Sequence, residues 1–202
     1  VHAMRAHILR TGITAGVGGT GLLLRVDPAL VGAVESDGGL GALLAEAMSA
    51  LGELEGTEAV RLGEALGQVR GPTLMSLALL DRSTHLFENH RSDSFLGVNR
   101  ALLETYQAGH ISRTTFEIAL MVGLLHELGH EVLPALTEAE RTRLDAQLTL
   151  ALFRSRVPDP RQRRQAQSAY TRELMQLVAR QHYLATTSTA IFTEIVDAFD
   201  TE

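Results

Sequence analysis

The chain lacks cysteine, lysine and tryptophan, and each absence limits what it can be. Without cysteine there is no disulfide and no thiolate ligand, so any metal site must use His, Asp or Glu. Aromatic residues make up only 4% of the 202 residues, so the core must be filled by Leu, Ala and Val, which favours helices. All 18 basic residues are arginine. GC-rich coding produces this bias, and we expect a bacterial source; selection against lysine inside a host cell is the alternative.

Strong positive charge and long apolar runs are also absent. The net charge of −6 argues against nucleic-acid binding, and the basic cluster at 161–164 fits a solvated helix face. No stretch reaches the roughly 18 uninterrupted apolar residues of a membrane span. The apolar, Gly-rich segment 13–24 lacks the cleavage site of a signal peptide. We therefore expect a cytoplasmic protein, with a secreted or injected effector as the alternative.

The length fits a single domain over residues 1–202. Residues 1–35 are Gly-rich with one candidate strand, 36–110 predict helices and a small sheet, and 111–202 are nearly all helix. The stretch 16–21 superficially matches a dinucleotide-binding G-x-G-x-x-G loop. Because no strong strand precedes it and no acidic residue follows at the required distance, a turn-forming segment is the better interpretation.

Hydrophobic periodicity and capping signals predict an α+β fold that is predominantly helical. A helix is expected over 114–132, starting at a capping box of Thr114 and Glu117 and ended by Pro134. A second capping box, Thr137 with Glu140, opens the next helix. Other helices are predicted at 39–54, 57–69, 160–184 and 191–199, and strands at 22–26, 74–80 (a helix is the alternative), 84–88 and the start of 94–106.

The most informative motif lies near the end of the 114–132 helix and reads His126-Glu127-Leu128-Gly129-His130. Positions i and i+4 share one face of a helix, so both imidazoles can reach a single tetrahedral ion. Glu127 can contact a water on that ion without being a ligand. The motif interrupts an apolar run, where charged and imidazole groups are costly unless they are paired or metal-bound. An ordinary solvated helix is the competing interpretation.

This H-E-x-x-H pattern resembles the signature of the zincins, a superfamily of zinc peptidases. The resemblance covers roughly residues 111–202 and implies a Zn²⁺ cofactor, a protein or peptide substrate and a small mixed or antiparallel sheet packed on the active-site helix. It also implies that Glu127 is the general base and that substrate binds extended along an edge strand, at 84–88 or 94–98.

Catalytic zinc usually has three protein ligands, and the sequence predicts Glu194 as the third. Glu194 lies in an apolar C-terminal helix, and Asp197 shares its face; Asp197 would accept the free N–H of a ligand histidine. Here the chain resembles the gluzincins, whose third ligand is a Glu on a later helix. Their second motif often reads E-x-x-x-D, whereas the spacing in this chain is one residue shorter.

Other residues remain candidates for the site. Alternative ligands are Glu173, His182, His110, Asp145 and Glu138, although a helix cap explains the Glu at 138 better. Donors of a hydrogen bond to the developing oxyanion, a role that gluzincins commonly give to Tyr or His, are His182 and Tyr183, with Tyr170 as a further candidate.

The resemblance to the zincins implies a zinc metalloendopeptidase in which Glu127 accepts a proton from the attacking water and passes it to the leaving amine; the spacing alone indicates a pair of metal ligands and a neighbouring carboxylate. The motif is common in a family of intracellular peptidases that cleave repressors, and an injected effector protease is the other biological setting. The alternative is a non-catalytic helical interaction protein with a structural or vestigial metal site. The apolar helices 40–54 and 114–132 fit a dimer face as well as a core, so the sequence is compatible with a monomer and with a dimer.

Overall fold

A computed structural model of the chain describes residues 1–81, 83–181 and 187–202. It is an α+β structure, predominantly helical, as the sequence predicts. In the described part the helices are α1 His2–Thr11, α2 Pro28–Val34, α3 Gly39–Gly52, α4 Thr57–Gly67, α5 Arg100–Gln107, α6 Arg113–Val132, α7 Glu138–Arg156, α8 Pro160–Arg180 and α9 Thr187–Asp200. The strands are β1 Ile13–Gly16, β2 Leu22–Val26, β3 Thr73–Leu80, β4 Phe87–His90 and β5 Phe95–Asn99. None of the described helices is long and apolar enough to cross a membrane.

The five strands form one mixed sheet in the order β1-β2-β3-β5-β4. The three central strands are parallel, whereas β1 and β4 run antiparallel to their neighbours at the two edges. Apolar side chains cover both faces of the central strands, as is usual in parallel sheets. Leu77 and Val98 belong to the main core on the face covered by α3 and α6, whereas Ala78 and Phe95 pack with Ile8 of α1 on the other face.

Helix α6 lies close to its predicted position but begins differently. Ser112, rather than Thr114, is the N-cap, and its hydroxyl accepts a hydrogen bond from the backbone N–H of Thr115. The expected partner in the capping box, Glu117, instead forms an ion pair of 2.7 Å with Arg156 of α7. The capping box predicted for α7 is present, with Thr137 and Glu140 in the expected roles.

Several element boundaries differ from the sequence prediction. Helices α1 and α2 were not predicted, because the N-terminal segment has too weak a periodicity to indicate them. Strand β4 begins three residues later than the alternating stretch at 84–88, and α9 begins at Thr187, four residues before the helix predicted at 191–199. Part of the predicted end of α8 lies at 182–184, outside the described residues.

Candidate metal centre

Three potential ligands meet where α6 ends and α7 begins. His126 and His130 lie one turn apart on α6, and Glu138 is the first residue of α7. One ligand atom from each of the three side chains lies within 4.8 Å of the other two. The Nε2 atoms of the two histidines are 3.2 Å apart, and His130 Nε2 lies 3.7 Å from Glu138 Oε1. This group could hold a metal ion.

Asp145 of α7 fixes the orientation of His126. Its carboxylate Oδ2 lies 2.7 Å from His126 Nδ1, and the residue is buried. When Nδ1–H donates to this carboxylate, the lone pair of Nε2 points toward His130. Metal-binding histidines commonly have such a carboxylate partner. Two imidazole nitrogens separated by 3.2 Å can share either a proton or a cation, so this pair is compatible with a metal ion.

The pKa values of the two imidazoles are shifted in opposite directions. Burial lowers the pKa of His126, but the hydrogen bond and charge of Asp145, with a contribution from Glu127, outweigh it and raise the pKa to about 9. The pKa of His130 is lowered by burial and by the positive charges of Arg141 and His126. Metal binding must therefore displace a proton chiefly from His126.

Glu127 lies beside the group without belonging to it. The side chain is buried, and burial raises its pKa to about 7; the charge of His126 opposes this shift and the charge of Asp145 adds to it. A carboxyl group with a pKa near 7 can both accept and donate a proton at neutral pH, which is what general acid–base catalysis requires.

The group faces a cavity of about 750 Å³ between α6, α8, α9 and the edge strand β4. Its apolar wall includes Phe87, Val122, Leu174 and Ile195, and Glu127 lies on its polar side. No arginine lines this cavity in the part of the chain that the structure describes. The site is therefore a cleft with one polar side, which carries the three potential ligands, and one apolar side.

Edge strand β4 is fixed directly against helix α6, which carries His126, Glu127 and His130. A Cβ atom at Gly123 of α6 would lie 2.3 Å from the ring of Phe87, so only glycine allows this close approach. Two residues further along β4, the Nδ2 group of Asn89 donates a 2.8 Å hydrogen bond to the backbone carbonyl of Glu127. The glycine and the amide together set the spacing between the strand and the general-base candidate.

The pairing register leaves part of the β4 backbone available. The N–H of Asn99 donates to the carbonyl of Leu86, which makes these two residues a hydrogen-bonded pair of the antiparallel ladder. Because such pairs alternate, the backbone groups of Phe87 and Asn89 point away from β5, toward the free edge. Strand β5, the other candidate for an edge strand, is internal, between β3 and β4.

A second polar cluster fixes the side of β4 opposite to the helix. The carboxylate of Glu88 accepts a hydrogen bond from the hydroxyl of Ser83 and lies 2.9 Å from His90 Nε2. Burial raises the pKa of Glu88, but the hydrogen bonds from Ser83 and His90 outweigh this effect and lower it. Glu88 therefore carries a negative charge at the cavity wall.

The structure brings together only some of the residues predicted from the sequence. His126, Glu127 and His130 share the site as expected. Glu194 and Asp197 are exposed on α9 and do not belong to the group, because the buried residue on this part of the helix is Ile195, which faces the cavity. His182 and Tyr183 lie outside the described residues.

The alternative candidates occupy different places. The carboxylate of Glu173 accepts a hydrogen bond from the backbone N–H of Ser112, at the opposite end of α6 from His126 and His130. His110 is exposed. Tyr170 lines the cavity but is buried and hydrogen-bonded to Thr149; burial raises the pKa of its hydroxyl.

The sequence alone favours a helix-capping role for Glu138 and indicates Asp145 only as one of several alternative ligands. The capping box uses Glu140, which leaves the Glu138 side chain able to approach His130. A usable signal was present: Glu138 and Asp145 are seven residues apart in a helix and therefore share one face.

Comparison with known proteins adds no family assignment: no family model, curated protein or solved structure matches the chain.

Proposed function

We propose that the protein is a zinc-dependent peptidase in which His126, His130 and Glu138 bind the metal ion and Glu127 is the general base. The observation that carries this proposal is the convergence of the three ligand atoms within 4.8 Å, beside a buried carboxyl group and on the wall of a large cavity. Two nitrogens and one oxygen, with further positions left for water and substrate, are a donor set typical of catalytic zinc.

The chain's own groups account for the proton transfers. A bound zinc ion would act as a Lewis acid toward the peptide carbonyl and would lower the pKa of a water molecule. Glu127 accepts the proton of the attacking water and delivers it to the leaving amine, which its pKa of about 7 allows in both directions. Asp145 keeps His126 in the tautomer whose Nε2 is a ligand.

We propose that the substrate is a peptide segment bound in extended form along β4. The backbone groups of Phe87 and Asn89 can pair with such a segment by strand addition. The apolar wall of the cavity then receives one of its side chains, and Glu127 lies next to the same strand through the contact with Asn89.

The placement of Glu127 favours catalysis over a purely structural metal site. A structural zinc site is usually closed by four protein ligands and has no need of an additional buried carboxyl group. The described residues supply three ligands, and the group faces a cavity large enough for part of a substrate.

Zinc content of the purified protein tests this proposal. We expect about one zinc per chain in the wild type, a value typical of a single catalytic site, and loss of that zinc in Glu138→Ala. Glu194→Ala is the matched control and should retain it. A wild-type protein that binds no zinc when zinc is supplied would refute the proposal. Retention in Glu138→Ala with loss in Glu194→Ala would instead assign the third ligand to Glu194.

A further inference from the structure

A buried arginine lies behind the metal-binding group. Arg141 of α7 is only 3% exposed, and it occupies space that Gly129 of the H-E-x-x-H motif leaves open. A Cβ atom at position 129 would lie 3.2 Å from Nη1 of Arg141. The absence of a side chain at Gly129 therefore leaves room for the guanidinium group of Arg141.

The contacts of Arg141 connect the two helices that supply the ligands. Its Nη2 donates a 2.8 Å hydrogen bond to the carbonyl of Leu133, the residue that follows α6. Its Nε lies 3.8 Å from Glu138 Oε1 and, within the described residues, has no hydrogen-bond partner. A buried guanidinium that is incompletely paired is energetically costly. Electrostatic attraction to Arg141 therefore favours conformations in which the Glu138 carboxylate stays near it.

Glu138 needs such a constraint more than the other two ligands do. The histidines project from the middle and end of a packed helix, and Asp145 holds one of them. The side chain of Glu138, by contrast, is 77% exposed at the start of α7, where solvent permits many rotamers. The charge of Arg141, whose Nε lies 3.8 Å from Glu138 Oε1, favours the rotamers that keep the carboxylate near His130.

We propose that Arg141 is a positioning residue of the metal centre, which holds the Glu138 carboxylate near the histidine pair and fixes the end of α6 to α7. This inference rests on the proposed function, since it presupposes that Glu138 is a ligand. It assigns a role to Gly129 as well: the absence of a side chain there lets the guanidinium reach the site.

The experiment measures zinc affinity by competition with a chromophoric chelator, together with the visible absorption of the Co²⁺-substituted protein. Arg141→Met is expected to weaken zinc binding about 10–100-fold, the range typical when a residue that supports a ligand is lost. Arg141→Lys keeps the charge but not the planar fork, so it should show a smaller loss. Arg143→Met is the matched control, because Arg143 lies on the same helix, 53% exposed and paired with Glu58; its affinity should equal that of the wild type.

A double-mutant cycle separates positioning from general stabilisation. If Arg141 acts through Glu138, then Arg141→Met should have little further effect on zinc affinity in a Glu138→Gln background. An equal loss in both backgrounds, or wild-type affinity and an unchanged Co²⁺ spectrum in Arg141→Met, would overturn the proposal.

Thermal unfolding in the presence of a chelator identifies any variant that fails to fold. Should Arg141→Met be unfolded, Arg141→Lys decides, and wild-type affinity in that variant would overturn the proposal. A wild-type chain without zinc would refute both the proposed function and this inference, whereas zinc binding that is independent of Arg141 would refute only the inference.

Discussion

Helix α6 buries two glutamates, ten residues apart, in two different environments. Glu117, near the start of the helix, forms a 2.7 Å ion pair with Arg156, which also makes two 2.7 Å hydrogen bonds with Glu46. Glu127, near the end, lies among His126, Asp145 and the cavity, and its pKa is raised to about 7.

The two carboxyl groups differ in their partners: Glu117 is held in an ion pair with Arg156, whereas Glu127 lines the cavity with a raised pKa. The ion pairs of Arg156 with Glu46 and Glu117 connect α3, α6 and α7, and they raise the pKa of the guanidinium. With a pKa of about 7, Glu127 is present in both its charged and its neutral form near neutral pH. A carboxyl group in that condition contributes to proton transfer at a cost in stability, a combination common at functional sites.

The largest expected effect is on catalysis. Glu127→Gln should lower peptidase activity by about 10²–10⁴-fold, the contribution of a general acid–base group, while zinc content stays at the wild-type value. Activity is measured as kcat/KM on a casein-derived or fluorogenic peptide that the wild type cleaves. Wild-type activity in this zinc-loaded variant would show that Glu127 is not the base.

The next effect is on stability at the other glutamate. Glu117→Gln should lower the free energy of unfolding by about 1.5–3 kcal/mol, because it removes one of the two carboxylates paired with Arg156. Urea unfolding measures this value. Arg154→Met is the control: its ion pair with Glu202 is 55% exposed on the arginine side, and such surface pairs contribute about 0–1 kcal/mol. A loss no larger than that of the control would contradict the structural role of Glu117.

Substitution of the two glutamates should also change the free energy of unfolding in opposite directions. The folded-state pKa of Glu127 is raised from 4.5 to about 7, so ionisation costs stability as pH rises through this interval. In metal-free protein, Glu127→Gln should therefore be more stable than the wild type by about 1–3 kcal/mol at pH 8. The gain should disappear below pH 4.5, the ordinary value. Urea unfolding at the two pH values checks this, and a loss of stability at pH 8 would contradict it.

The smallest expected effect concerns the strand that supports Glu127. Asn89→Ala removes the hydrogen bond to the Glu127 carbonyl and should cost about 1 kcal/mol of unfolding free energy. A shift of the same size in the barrier would lower kcat about fivefold, and zinc content should not change. Thr142→Ala, at another cavity-lining position, is a useful comparison. Unchanged kcat and stability in Asn89→Ala would show that the edge strand is held by other contacts.

Local signals explain what the sequence could predict. The apolar periodicity before His126 and the proline at 134 fix α6 to within a residue of its observed bounds. The spacing of His126, Glu127 and His130 on that helix predicts their shared site, because a helix alone determines it. The strands 22–26 and 74–80 are likewise visible as short apolar runs.

The features that the sequence does not predict depend on long-range packing. Glu138 approaches His130 only because the chain reverses after Pro134, and no helical period encodes that reversal. The exposed position of Glu194 depends on which side of α9 packs inward, and this is set by contacts with α7 and α8. The start of β4 depends on the hydrogen bonds of Ser83 and Glu88, which join residues on either side of a loop.

The hairpin of α6 and α7 has a consequence for recognising related chains. All of the groups assigned to the metal centre, including Asp145, lie within a span of twenty residues, with seven residues between His130 and Glu138 and six between Glu138 and Asp145. An insertion between the helices would separate the Glu138 carboxylate from the histidines. We therefore expect divergent homologues to share the pattern H-E-x-x-H-x₇-E-x₆-D with this fixed spacing, even where the remainder of the sequence has changed beyond alignment.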